Sequence, residues 1–410
     1  MQPNTIAIFS DRAQISSLPS NVQEILKKEG LISVRGKKVS FSGLINTPDK
    51  SFIFMPRQTP HEKKYIPKLF EAIRKYSREV SSVREANDDG SGLTGLEPLS
   101  IIHQVLADYR LNGIYTRRDS HITVNKGKPN WGRTVNRYSP YLSSKGPVYI
   151  DYIGSSSHNQ SDTEASRIHA YIVKKLDERY GEILFSHKSY SEDGLLPPRS
   201  LDPSYFESVI KAELQQLYSD RDVQLFKFIL QYLKKYHGNQ NSTITTGIQN
   251  FHSLWEHMLR KTISGAVDLN SQFSIPTYVD LSGGIHTAPK KGQRTDLIVH
   301  CPEKNLYSIV DAKYYDAKHL TSAPGWGDLL KQFFYAKAVH SLYPRAKVKN
   351  YFIFPGTEPL FEYAYMANRE DKSADENYEA ISCLYIDPIK VINAFTDGRV
   401  LEDISRKLVT

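Results

Sequence analysis

Cysteine is nearly missing: Cys301 and Cys383 are the two in 410 residues. That is too few for a disulfide framework or a cysteine-rich zinc site, and both sit in apolar runs that read as strands. No apolar stretch approaches the roughly 18 residues that cross a bilayer, and Met1-Gln2-Pro3-Asn4 opens no basic-then-apolar leader. A cytoplasmic protein without membrane contact is therefore expected. The chain has no Gly-x-x-x-x-Gly-Lys-Ser/Thr loop, so it is not expected to hydrolyse ATP or GTP by itself. Internal repeats and low-complexity tracts are absent too. His252 and His257 lie five apart, on different sides of one helix, which argues against a zinc pair.

Lys and Arg number 53 against 45 Asp and Glu, a formal charge of +8. A modest excess of this kind reports solubility and non-specific attraction more than function. Its placement says more. Arg117, Arg118, Lys126, Lys128, Arg133 and Arg137 form one cluster and Lys290, Lys291 and Arg294 another, both in Gly- and Pro-containing stretches. Lys290, Lys291, Arg294, Arg133 and Lys128 are the candidate nucleic-acid contacts.

Polar, Gly/Pro/Ser-rich breaks at 87–95, 154–162, 191–203 and 237–247 divide the chain into three blocks. Residues 1–90 read as a small α+β module, with short strands between Leu31 and Phe54 and a charged helix over 61–85. Residues 96–238 read as mostly helical around a basic, aromatic-bearing segment. One helix is expected from a cap at Ser161, with Glu164 three residues on. Another follows Asp202-Pro203, with Phe206, Ile210, Leu214 and Leu217 at helical spacing and the same period continuing through Phe226, Ile229 and Leu233. From 246 to 410 helices and strands interleave, the pattern of an α/β (α+β) domain with a mixed sheet flanked by helices.

The chemistry gathers in that last block. Thr295 to His300 and Leu306 to Tyr314 are apolar runs separated by Pro302-Glu303-Lys304-Asn305, a hairpin loop. If Cys301 pairs with Leu306, Asp296 falls opposite Asp311, and opposed residues of an antiparallel pair share a face about 5 Å apart. Period two puts Lys313 on the same face and Val310, Ala312 and Tyr314 on the other. Two converging carboxylates and the Ala312 carbonyl are the hard oxygen donors that magnesium takes, and Lys313 could orient water and offset transition-state charge in phosphodiester hydrolysis. Solvent-facing strand-end charges paired with Lys313 or Arg294 are the alternative, and the hairpin alone does not decide. Asp316-Ala317-Lys318 repeats the tripeptide, but it lies past the apolar run without an opposed Asp and is treated as a decoy.

Two helices bear on this choice. Phe251, Leu254, Trp255, Met258 and Leu259 make one apolar face, with Glu256 at its border, placed either to reach the carboxylates or to pair with Arg260. Downstream, Asp328, Lys331, Gln332 and Tyr335 read as a polar stripe opposite Leu329, Phe333 and Ala336. In this reading Gln332 and Tyr335 hold a DNA phosphate or the lysine, and Asp328 and Lys331 are solvated. Trp131, beside Arg133 and Arg137, reads as a core residue, with a contact to DNA or a partner as the alternative.

The order Glu256 on a helix, Asp296 opening a strand, Asp311-Ala312-Lys313 ending the next and Gln332 on the following helix resembles the PD-(D/E)XK nuclease superfamily. Within it, TDLIV, IVDAKYY and DLLKQFFYAKA look like the nuclease subunits of McrBC-type restriction systems, the McrC-like and LlaJI-type endonucleases. Pro129-Asn130-Trp131-Gly132-Arg133-Thr134-Val135 is similar to the LlaJI-type pattern. The similarity runs from about Glu97 to Tyr351, and residues 1–90 resemble nothing nameable. Thr295 stands where many superfamily members have Pro, and the Gln332–Tyr335 spacing is one residue shorter than in some RecB-like nucleases. The resemblance implies metal-site roles for Glu256, Asp296 and Asp311 with the Ala312 carbonyl, a catalytic Lys313 and a supporting Gln332. It also implies Mg²⁺, with Mn²⁺ as a substitute, double-stranded DNA as substrate and a separate McrB-like AAA+ GTPase as partner in a restriction or phage-defence system. By analogy, residues 1–90 would recognise DNA or dock. A stand-alone repair or recombination nuclease and a non-catalytic DNA-binding protein on a nuclease fold are the competing readings.

Overall fold

Apolar residues in the N-terminal segment are spaced for short strands and amphipathic helices. The computed structural model, which describes residues 5–33, 36–47, 50–81, 93–191, 194–237, 243–288 and 292–410, forms them accordingly. Strands β1 (Thr5–Ser10), β2 (Phe41–Asn46) and β3 (Lys50–Met55) precede β4 (Leu93–Thr94), with helices α1 (Ser20–Lys28) and α2 (Ile66–Ser81) between them. Val22 and Leu26 of α1 pack with Phe41, Ile45, Phe52 and Phe54 in one core cluster. The part of the expected 61–85 helix beyond residue 81 lies outside the described residues, as do Lys290 and Lys291.

The middle of the chain holds α3 (Leu96–Asn112), β5 (Arg117–Val124), β6 (Lys128–Pro129), α4 (Trp131–Arg137), β7 (Tyr141–Ser143), β8 (Gly146–Val148) and β9 (Ile153–Gln160). Helices α5 (Glu164–Phe185), α6 (Pro203–Leu214) and α7 (Asp220–Tyr232) follow. Strands β5, β9 and β6 make a small antiparallel sheet and β7–β8 a hairpin. The caps refine the expectation. Thr163 rather than Ser161 caps α5, accepting from the Ser166 amide, and Asp202 caps α6 with Pro203 at its first position. The continuous periodicity after Pro203 is two helices, because Ser219 starts a new one by capping α7.

The last block contains β10 (Ile244–Gln249), α8 (His252–Thr262), β11 (Ala266–Val267), β12 (Thr277–Val279), β13 (Ile285–Thr287), β14 (Leu297–Cys301) and β15 (Leu306–Ala312). Then come α9 (Trp326–Leu342), β16 (Lys347–Pro355), β17 (Tyr363–Ala364), β18 (Ile381–Ile386), α10 (Pro388–Asp397) and α11 (Glu402–Leu408). A six-stranded mixed sheet runs β11-β14-β15-β16-β18-β17, antiparallel at both edges and parallel from β15 to β18. Ile298, Tyr307, Ile309 and Val348 of this sheet pack against Ala336 and Val339 of α9. The expected α/β class is what the chain adopts.

Contacts group the chain into two units, residues 1–96 with 242–410, and residues 97–241. The sequence blocks separate the N-terminal module from the last domain, and the structure joins them for a specific reason. Strand β10 sits between β2 and β4 in the five-stranded sheet β1-β3-β2-β10-β4. Gly247 faces Gly43 in that register. A Cβ on either would lie 2.3 Å from a carbonyl oxygen across the pair, so two glycines are required for strands this close.

Candidate functional site

The β14–β15 hairpin fixes the site. Cys301 pairs with Leu306 and Leu297 with Val310, the register considered for a four-residue loop, and the reversal is a 3₁₀ turn at Pro302–Lys304 closed by left-handed Asn305 at φ 47°. Asp296 therefore precedes its strand directly beside Asp311. Its Oδ2 accepts the Ala312 amide at 2.8 Å, and its carboxyl shares a hydrogen bond with that of Asp311. Burial, then the charges of Glu256 and Asp311, push the Asp296 carboxyl up to about 8. Glu256 occupies the border of α8's apolar face, where burial holds its carboxyl above the ordinary range against the pull of Arg260, and Asp311 raises it further. Arg260 itself turns to the Asp296 carbonyl, its Nη2 donating at 2.6 Å.

Lys313 is buried at 8% exposure, and its ammonium lies 2.6 Å from Asp311 Oδ2 and 2.6 Å from Asp328 Oδ1. Burial pulls this ammonium down, but Asp311 and Asp328 outweigh it and hold the group above its usual value, so it stays charged. Asp328 also reaches back to the Gly325 amide at the start of α9. The sequence reading left Asp328 in solvent, because nothing local in a helical stripe shows which member a strand from elsewhere will meet.

The N-terminal strands support the same spot. Tyr314, next to Lys313, donates its hydroxyl to Asp11 Oδ2 at 2.9 Å and accepts the Arg57 amide at 3.0 Å. Burial pushes the Asp11 carboxyl up to about 6. The rings of Phe251 and Trp255 flank Tyr314. Asp11 and Arg57 carried no sequence signal, since their partner lies some 250 to 300 residues away.

Other candidates fall elsewhere. Gln332 is not on a polar stripe. It is fully buried with Ala336 and Val339 on the sheet-facing side of α9, and its Nε2 donates to the Tyr351 carbonyl at 3.1 Å rather than meeting Lys313. Tyr335 donates to the Arg294 carbonyl at 2.7 Å, and burial followed by the charges of Asp296 and Asp311 pushes its phenol up to about 12. Arg294 draws Glu256 down, which places its charge toward the cluster. Lys318 of the decoy tripeptide pairs with Glu358 at 3.7 Å. Trp131 is not a core residue: it opens α4 at 57% exposure. Arg133 and Lys128 are exposed in the same unit, and the Arg133 amide donates to the α4 cap at Asn130.

The donor set suits a hard divalent cation. Asp296 and Asp311 are in contact and feel the charge of Glu256, a repulsion that added positive charge would relieve, and all these donors are oxygen. Among the described residues no group of three or more His, Cys, Asp or Glu side chains is gathered as a metal site.

An acidic pair and a charged lysine thus stand together at the end of a hairpin in the mixed sheet of an α/β chain. Residues 41–368 match the LlaJI restriction endonuclease family, and the chain belongs to that family. The match begins within the N-terminal block that resembled nothing nameable. The chain is 26% identical over 352 residues to the type II restriction enzyme BsuMI component YdjA of Bacillus subtilis (strain 168), covering 81% of this chain and 74% of that one. It is also similar to a solved half-complex from a tetradecameric assembly of Thermococcus gammatolerans McrB AAA+ hexamers with bound McrC. There the TM-score is 0.39 and the identity 13%, over 98% of this chain and 100% of the other.

Proposed function

We propose that this chain is the nuclease subunit of a restriction system, a Mg²⁺-dependent DNA endonuclease of the PD-(D/E)XK type that works with a separate AAA+ GTPase. The observation that carries the reading is the pairing of Asp296 with Asp311 at the end of the hairpin beside the buried Lys313 ammonium, which lies 2.6 Å from both Asp311 and Asp328. Asp296, Asp311, Glu256 and the Ala312 carbonyl would hold Mg²⁺, with Mn²⁺ able to substitute; the ion supplies charge neutralisation and an acidified water.

The protein's own groups do the rest. The Lys313 ammonium orients water toward phosphorus and stabilises the charge that builds on the non-bridging oxygens. Because Lys313 is kept protonated, it does not take the water's proton, which passes to bulk water. The P–O3′ bond breaks, the leaving oxygen takes a proton from solvent, and a 5′-phosphate remains. Gln332, bonded to the Tyr351 carbonyl, ties α9 to β16 and supports the site from behind. The GTPase partner is supported by the absent P-loop and by a relative described as one component of a restriction enzyme.

The test is cleavage of methylated and unmethylated plasmid with Mg²⁺ by wild type and Asp311→Ala, with and without the neighbouring AAA+ protein and GTP. Cutting by wild type alone among the two proteins, and only with the partner, supports the whole reading. Partner-independent cutting moves it to a stand-alone nuclease. Tight binding without cutting under any divalent ion sinks the catalytic reading.

A further inference from the structure

Helix α9 turns an apolar stripe the wrong way. Gln332, Ala336 and Val339 face the sheet, yet Trp326, Leu330 and Phe334, spaced four apart on another side, are 55%, 36% and 49% exposed. Three large apolar groups in a row beside an active site need something to cover them. Leu330 and Phe334 wall an open cavity of about 370 Å³ whose remaining side chains are Gln293, Arg294, Lys331 and Tyr335. That volume falls in the range of roughly 300–1,000 Å³ usual for small-ligand sites.

The lining is chemically specific. Among the described residues it carries Lys331 and no carboxylate, so an anion is favoured. It offers an exposed aromatic face and an apolar side chain for a flat ring. Gln293 keeps its Oε1 buried without a hydrogen-bond partner among the described residues, an acceptor left for a donor from outside. Tyr335 joins cavity and cluster, since it lines the one and bonds the Arg294 backbone two residues from Asp296. A phosphate, a flat ring and an amine edge occur together in a nucleotide.

We infer that this cavity is a base-stacking subsite that receives an unstacked nucleotide of the DNA strand whose scissile phosphate lies at Asp296, Asp311 and Lys313. The inference rests on the nuclease reading for the position of that phosphate. Phe334 stacks on the base, Lys331 takes a flanking phosphate, and Gln293 Oε1 accepts from a base amine. A covering protein would have to bring acid for Lys331 as well as an apolar plug, whereas a DNA strand brings charge and ring in one chain.

The experiment measures binding apart from cutting. A single-stranded oligonucleotide carrying 2-aminopurine, and the same strand labelled with fluorescein, are titrated with full-length protein in Ca²⁺, following quenching and anisotropy. Wild type should quench. Phe334→Ala should lose the quenching and bind about ten-fold more weakly, Phe334→Trp should restore both, and Lys331→Ala should flatten the salt dependence by about one ion. Wild-type quenching and affinity in Phe334→Ala, with unchanged melting, overturns the subsite. So does unchanged DNA binding with altered self-association in sedimentation, which would assign the stripe to a protein contact. Quenching by a wild type that never cuts sinks the nuclease reading and leaves the subsite standing; cutting by a wild type whose Phe334→Ala variant is indistinguishable does the reverse.

Discussion

The hairpin site and the 97–241 unit handle charge in opposite ways. At the hairpin, carboxylates are brought together without enough positive charge to balance them, and burial with mutual repulsion lifts Asp296 and Glu256 out of the ordinary range. In the other unit the buried Glu213 is answered: it accepts from the Tyr115 hydroxyl at 2.7 Å and from Arg117 Nε at 2.8 Å. Trp131, Lys128 and Arg133 of the same unit stay exposed. A balanced buried charge specifies a fold, whereas an unbalanced acidic cluster stores a demand that added positive charge would meet.

Substitutions can break this contrast, and the largest effect belongs to the hairpin. Lys313→Ala should cut cleavage by about 10² to 10³-fold while most DNA affinity survives, because it removes transition-state stabilisation and one of many positive charges. Retained cutting in a plasmid assay takes Lys313 out of the mechanism. Glu213→Gln should cost the 97–241 unit about 2 kcal/mol in a denaturant melt, since it leaves half-buried Arg117 without its counter-ion. An unchanged melt would mean that the two regions do not differ in the way described. Asp328→Asn should lower kcat about ten-fold with KM little changed, as Lys313 loses one of its two anchors; equal losses in kcat and fold stability would make Asp328 merely structural. Trp131→Ala should shift stability by less than about 0.5 kcal/mol, the mark of an exposed site, where a core Trp would cost about 3–5 kcal/mol. Lys318→Ala should leave cleavage nearly intact, and a loss equal to that of Lys313→Ala would show the wrong tripeptide chosen.

Much of the site was readable along the chain. Two apolar runs joined by a four-residue hairpin loop suggested the Cys301–Leu306 pairing, and period two then placed Asp296, Asp311 and Lys313 on one face. The border position of Glu256 followed from the apolar face of α8. Gln332 was misread because a glutamine in an amphipathic helix is ordinarily solvated. Here a backbone carbonyl of β16 satisfies its amide, so it can face the sheet. Trp131 was misread for the converse reason: aromatic residues are usually buried, and only the placement of α4 shows that this one is not.

What the sequence by itself determined are features with a local cause: the main apolar runs, the Asp202–Pro203 helix start, the hairpin register and the acidic-lysine constellation it generates. Tertiary structure alone decided that β10 enters the N-terminal sheet, that Asp11 and Arg57 grip Tyr314, and that Asp328 shares Lys313. Periodicity and capping act over a few residues, but these contacts join strands and loops far apart in sequence. They form only because the folded backbone brings the donors and acceptors within bonding distance.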